Sequence, residues 1–233
     1  METKNIPAII LAGGLGTRLK EVICDLPKPM APVNGKPFLH FVFEYLNKQG
    51  INKAVLAVGY KHEVIKAYFG NSYLNIEIQY SIEEEPLGTG GAAKQAFDFV
   101  NEVAFVINGD TFFDVSLNEM NTFFQSKDAD LAMALKYLKN FDRYGTVQIN
   151  EASRVLQFEE KKLMTEGLIN GGIYLMKKNI FDKAGVEKKF SFEKEVLEKY
   201  VGELKYFGKS FDNYFIDIGI PTDYAQVQLD FKK

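Results

Sequence analysis

The chain contains one cysteine, two histidines and no tryptophan in 233 residues. A lone Cys24 excludes an internal disulfide and fits a reducing compartment, so the cytoplasm is the expected location. His40 and His62 both fall in helical patterns and read as structural, and no His cluster with metal-ligand spacing occurs. There is no G-x-S-x-G elbow, and Cys24 has no His nearby in sequence. Apolar runs stop well short of the ~18 residues of a membrane span. The early "IPAIILA" is broken by Pro7 and leads into Gly13 and Gly14, as a buried strand would and a signal peptide would not. Neither sign of charge dominates: 28 basic residues stand against 31 acidic ones, for a formal net charge of -3. Nucleic acid and membrane surfaces are therefore not expected partners. An enzyme with these absences works without a protein nucleophile or a His base. Phosphoryl or nucleotidyl transfer meets that condition, because positioning and charge neutralisation carry most of the catalysis.

What is present is an ordinary globular composition, 46% hydrophobic and 25% charged, in a chain long enough for one large α/β domain. Short aliphatic runs at 8–12, 54–58, 76–82 and 104–107 predict strands. Helical patterns at 37–49, 62–69 and 91–100 lie between them, the first two closed by Gly50 and Gly70. Near-continuous apolar strands separated by helices predict a doubly wound, mixed but mostly parallel sheet, with ligands at the carboxyl ends of its strands. In the second half, "YGTVQIN", "VLQFEEK", "NGGIYLM" and "YFIDIG" read as short, partly antiparallel strands forming a small lid on the same sheet. Ser191 is expected to cap a helix running to Tyr200, and Thr222 to cap the last helix. One composite domain over 1–233 is expected, with a nucleotide-binding half to about residue 115 and a sugar-phosphate half beyond it.

The stretch "LAGGLGTRLKEVICDLPKPM" follows the first strand. A glycine turn there lets backbone N–H groups face a phosphate. Arg18 adds a planar fork, and Pro27 and Pro29 restrict the backbone around Lys28. The stretch is neither a dinucleotide fingerprint, whose third glycine would fall on Leu19, nor a Walker loop. Asp110 and Asp217 each end an apolar strand, and in a chain with a phosphate loop they suggest a shared Mg²⁺ held by oxygen ligands. Asp114 and Asp223 read as structural, Asp223 through its place in the first turn of a helix. Glu160 and Lys161 would suit a substrate with hydroxyls and a phosphate, while Lys162 belongs to a solvated face. "EEEPLGTGGA" offers Glu83, Pro86 and Gly88 as a nucleobase slot.

"AGGLGTRL", "PKPM", "EPLGTGGA", "NGDT", "EEK" and "DIGIPTDY" occur here in an order and spacing that resemble the sugar-1-phosphate nucleotidylyltransferases over nearly the whole chain. Within that family, "INGGIYLM" and the "DIGIP" ending most resemble the branch acting on D-glycero-α-D-manno-heptose 1-phosphate in bacterial surface-sugar pathways. The resemblance implies a Rossmann-like, GT-A-like nucleotidyltransferase fold and the reaction of an NTP with a sugar 1-phosphate to give an NDP-sugar and pyrophosphate. It also implies roles. Leu11, Ala12, Gly13, Gly14, Gly16 and Thr17, with Glu83, Pro86, Leu87 and Gly88, would bind the nucleotide. Arg18 would neutralise the departing pyrophosphate and Lys28 would bridge the reacting phosphates. Asp110 and Asp217 would hold Mg²⁺, and Gly145, Glu160, Lys161 and Asn170 would bind the sugar phosphate. Glu83 stands where uridylyl- and thymidylyltransferases carry Gln. A carboxylate accepts only, and guanine presents paired donors at N1 and its amino group, so GTP is the expected nucleotide. Hexapeptide repeats and the C-terminal helical extension of thymidylyltransferases are not seen, and a homo-oligomer stays open. Rival readings are a mannose, glucose or N-acetylmuramate 1-phosphate nucleotidylyltransferase using another base, and a non-catalytic sugar-nucleotide sensor. An NAD-dependent oxidoreductase is rejected because "VGYK" puts no acid at the end of the second strand.

Overall fold

The computed structural model describes residues 2–14 and 26–232. Its strands in chain order are β1 Ala8–Leu11, β2 Pro32–Val33, β3 Lys36–Pro37, β4 Lys53–Val58, β5 Ser72–Tyr73, β6 Ile76–Ile82 and β7 Val103–Asn108. β8 Thr111–Phe113, β9 Leu131–Phe141, β10 Val147–Ile149, β11 Val155–Phe158, β12 Met164–Lys177, β13 Tyr206–Phe211 and β14 Phe215–Asp217 follow. The α-helices are α1 Phe38–Lys48, α2 His62–Phe69, α3 Gly88–Ala96, α4 Leu117–Ser126, α5 Ile180–Ala184 and α6 Pro221–Asp230.

Eight strands form one sheet in the order β13-β9-β12-β7-β1-β4-β6-β5. β1 pairs in parallel with β4 and β7, β4 with β6, and β9 with β13. β12 runs against both of its neighbours, β7 and β9, and β5 runs against β6. The sheet is thus mixed and mostly parallel, as expected. Strand pleating splits the apolar side chains between two faces. Ala8 and Ile10 of β1 join α1, α2, α4 and α6 in one core, whereas Ile9 joins α3, α5 and the segment around Val196 in the other. Helices therefore cover both faces of the sheet.

The second half is more than a lid. β9, β12 and β13 complete the central sheet, while the β10–β11 hairpin and the β14–β8 pair lie apart from it as small antiparallel sheets. Two capping expectations are corrected. α6 starts at Pro221 with Ile220 at its N-cap, so Thr222 sits inside the first turn and caps nothing. Ser191 does accept from the Lys194 N–H at 3.3 Å, but the segment it opens is a π-helical turn, Glu193–Glu198. Pro37 is the N-cap of α1 rather than its first residue, and α3 begins at Gly88, three residues earlier than the pattern predicted. Among the described residues no helix is long and apolar enough to cross a membrane.

Asp130 fastens one end of the sheet. Its carboxylate accepts from Lys183 Nζ at 2.8 Å and from the Lys205 N–H at 3.1 Å, while its carbonyl accepts from the Lys177 N–H at 3.0 Å. Burial alone would raise its pKa, but these donors and the Lys177 charge hold it below the usual carboxylate value. A carboxyl depressed in the fold contributes stability above its unfolded pKa and loses it as pH falls through the folded one. Asp130→Ala is expected to cost about 1–2 kcal/mol at pH 7, from the lost half-exposed pair with Lys183 and the Lys205 N–H left without its acceptor. Urea titration at pH 7 and again at the acid end, where the difference should shrink, checks this.

Candidate active site

The carboxyl ends of β1 and β7 open onto a cleft of about 630 Å³, lined by Leu11, Gly13 and Gly14 after β1 and by Asn108 and Asp110 after β7. Glu83, Pro86, Gly88 and Lys28 also line it. The chain must pass very near itself at Gly13, where a Cβ would collide with Glu83 Oε1. Gly88 has φ +74°, and a Cβ there would sit 2.5 Å from the Phe190 carbonyl oxygen, so only glycine fits at the start of α3. Glu83 is half-buried. Its Oε2 accepts from the Leu87 N–H at 2.9 Å. Burial pushes the Glu83 carboxyl up, and that N–H opposes the shift.

The centre of the site is a lysine between two carboxylates. Lys28 Nζ lies 2.5 Å from Asp110 Oδ2 and 3.5 Å from Asp217 Oδ1. The antiparallel pair β8–β14 sets Asp217 opposite Thr111, and the Ile218 N–H donates to the Asp110 carbonyl at 3.1 Å. Two acids distant in sequence are thereby held side by side. Lys28 stands at the start of a single 3-10 turn, Lys28–Met30, entered from the extended Pro27. Burial first, and then the neighbouring Asp110, raise the Asp217 pKa, with Lys28 pulling it back. Asp217 Oδ1 is buried and has no hydrogen-bond partner among the described residues. A buried, unsatisfied carboxylate oxygen beside a second carboxylate, with oxygen as the sole donor type, fits a hard divalent cation such as Mg²⁺. Such a cation commonly takes one or two carboxylates and completes its shell from substrate phosphates and water.

A second cavity, of about 370 Å³, is lined by Gly145, Glu160, Lys161 and Asn170 together with Tyr144 and Thr146. It shares Glu193 with the nucleotide-side cleft. Asn170 is already engaged: its Nδ2 donates to the Tyr174 hydroxyl at 2.6 Å, and its Oδ1 accepts from the Gly172 N–H at 3.1 Å. Lys162 does not line the cavity; it is exposed and pairs at 2.8 Å with Glu159, which does. A third cavity of about 310 Å³ joins Tyr144 and Lys161 to Arg143, Asp217 and Gly219.

Most of the residues singled out in the sequence meet in these cavities. Ala12 and Leu87 do not line them: both are buried, Ala12 in the core and Leu87 with its N–H on Glu83. Gly16, Thr17, Arg18 and Cys24 lie outside the described residues. The sequence reading passed over Asn108, Thr89, Glu193 and Arg143. Asn108 begins the "NGDT" motif that was already marked, so its signal was present. Glu193 accepts from the Thr89 hydroxyl at 2.9 Å and from Ser191 at 3.2 Å, and nothing local marks that contact. Asp223 does occupy the first turn of α6, but it also pairs with Arg143 at 2.6 Å across 80 residues of sequence. His40 is buried between Lys36 Nζ and the Tyr73 hydroxyl, in keeping with a structural role.

Comparison with known proteins agrees with this geometry. The family model described as nucleotidyl transferase matches residues 7–233. A D-glycero-alpha-D-manno-heptose 1-phosphate guanylyltransferase of Campylobacter jejuni is 56% identical over 93% of this chain and 96% of its own. A protein of the same name from Aneurinibacillus thermoaerophilus is 54% identical over 97% of this chain and 98% of its own. The crystal structure of HddC from Yersinia pseudotuberculosis complexed with GMP-PN superposes with a TM-score of 0.86 at 38% identity, covering 97% of this chain and all of that one. The match of the family model across nearly every residue, and relatives of this closeness over their full length, place the chain in the nucleotidyl transferase family.

Proposed function

We propose that the protein is a guanylyltransferase that joins GTP and D-glycero-α-D-manno-heptose 1-phosphate to form GDP-heptose and pyrophosphate. The observation that carries the reaction is Lys28 held between Asp110, which lines the large cleft, and Asp217, which lines the third cavity. The relatives' names support the choice of sugar and base. The cytoplasm is the compartment we assign, on the lone cysteine and the chemistry of the substrates.

An oxygen of the sugar phosphate, already anionic, attacks the α-phosphorus of GTP in line. The new P–O bond forms as the bond to the β-phosphate oxygen breaks, and pyrophosphate leaves with that electron pair. No general base is required. Backbone at Gly13 and Gly14 approaches the nucleotide, and Lys28 stabilises charge on the reacting phosphates. Arg18, from the sequence motif, would face the departing pyrophosphate. Asp110 and Asp217 would hold Mg²⁺, which when bound supplies Lewis-acid neutralisation of phosphate oxygens. Glu160 and Lys161 would hold sugar hydroxyls and phosphate, from the exposed rim of the second cavity.

Glu83 is assigned to guanine. With Oε2 accepting from Leu87, the carboxylate also shapes the wall it belongs to, so its replacement affects both base choice and loop order.

Pyrophosphate release with ATP, CTP, GTP, UTP and dTTP against a panel of sugar 1-phosphates is expected to be fastest with GTP and the heptose 1-phosphate. A best rate with UTP or dTTP would sink the guanylyl assignment, and no turnover with any pair would favour a sugar-nucleotide sensor. In the same assay Glu83→Gln should erode the preference for GTP over UTP by about 10-fold or more, the scale of one lost charged hydrogen bond. An unchanged preference would remove Glu83 from base recognition.

The raised Asp217 carboxyl also predicts a pH profile. Its ionised form is the one that can take a cation, so kcat/KM should fall with acid at a higher pH than an ordinary Asp, near 3.9, would impose. Protons and metal compete for the same oxygen, so more Mg²⁺ should move that acid limb downward. An acid limb indifferent to Mg²⁺ would separate Asp217 from metal binding.

A further inference from the structure

We propose that Arg143 is a binding residue for the phosphate of the acceptor sugar, acting with Lys161 and held in place by Asp223. The inference rests on the reaction proposed above and adds to it a residue that no sequence motif marked.

The argument is spatial. The cavity containing Glu160 and Asn170 and the smaller one containing Asp217 share two residues, Tyr144 and Lys161. A sugar 1-phosphate lying with its hydroxyls in the first would place its phosphate in the second, next to the carboxylate assigned to Mg²⁺. That second cavity is where Arg143 projects, beside Asp217 and the backbone of Gly219. Its cationic groups are Arg143 and Lys161, and a phosphate monoester carries up to two negative charges. Lys28 reaches Asp217 Oδ1 only at 3.5 Å and is held more closely by Asp110, so within this lining Arg143 and Lys161 are the cations left to face an anion beside Asp217.

Arg143 is also prepared for the task. It follows the end of β9, and its Nη2 donates to Asp223 Oδ2 at 2.6 Å. Its guanidinium lies 5.3 Å from the centre of the Tyr144 ring. Asp223 is itself fixed, in the first turn of α6. The contact at Nη2 engages one edge of a group with five N–H donors, so a phosphate can still be gripped through others. Burial, followed by the charge of Asp217, pushes the Tyr144 hydroxyl up to about 12, so it stays protonated and can donate to the same anion. An arginine placed only to pair with Asp223 would not need to line a cavity that holds Lys161 and Asp217.

The test is two-substrate kinetics on the full-length enzyme, by pyrophosphate release, with thermal unfolding as the check on folding. Arg143→Gln is expected to raise KM for D-glycero-α-D-manno-heptose 1-phosphate by about 10- to 100-fold and to leave KM for GTP within about twofold. Arg143→Lys, which keeps the charge and loses the fork, should fall between the two, and it carries the comparison if the Gln variant does not fold. A folded variant with an unchanged KM for the sugar phosphate, or with KM for GTP raised equally, overturns the inference and leaves the proposed reaction standing. An unmodified enzyme that turns over no sugar 1-phosphate overturns both.

Discussion

The Lys28 ammonium between Asp110 and Asp217 is the contact on which the rest of the site depends. Without a cation two adjacent half-buried carboxylates repel, and the Asp217 pKa is raised by burial first and by the Asp110 charge second. The lysine offsets the repulsion only in part, because its stronger contact is with Asp110. The site can therefore accept further positive charge, and Asp217 Oδ1, buried without a hydrogen bond and reached by Lys28 only at 3.5 Å, is where that charge is most favourable.

Three separate pieces of architecture have to agree to make that contact. β7 delivers Asp110 at its carboxyl end through the turn at Gly109. β14 pairs with β8 and brings Asp217 alongside. The turn at Pro27–Pro29 fixes the backbone that carries Lys28. None of these elements is long, and their precision comes from the layered core beneath. The two strands next to β1 are parallel to it and buried on both faces, so a one-residue slip would exchange side chains between two packed cores of different shape.

This division explains what could be read in the sequence. The parallel half was legible because its strands are short, aliphatic and bounded by glycines, and 76–82 coincides with β6. The motif residues were legible because glycine, proline and acid recur at strand ends, where backbone geometry restricts the choice. β9 was not read: "LAMALKYLKNF" is rich in Leu, Ala and Lys, which favour helix, and it becomes a strand because β12 and β13 flank it. β12 was read only in its second half. Its earlier residues, MTEGLI, mix apolar and polar types, and the ladder with β9 shifts register between Asn170 and Tyr174, at Gly171 and Gly172, so no alternation runs through it. Long-range side-chain pairs were invisible for a related reason. Arg143 lies in "FDRYG", a charged turn like many others, and its partner is 80 residues away.

The same geometry joins the cavities. Asp110 lines the large cleft, Asp217 lines the third cavity, and Lys28 contacts both carboxylates. In the proposed reaction the nucleotide lies on the Asp110 side and the acceptor on the Asp217 side. Glu193, shared by the large cleft and the second cavity, ties the N-terminal turn of α3 to the π-helical turn and so couples the walls of the two. Under that proposal two anionic substrates meet at Lys28, with neither cavity carrying the whole of the positive charge.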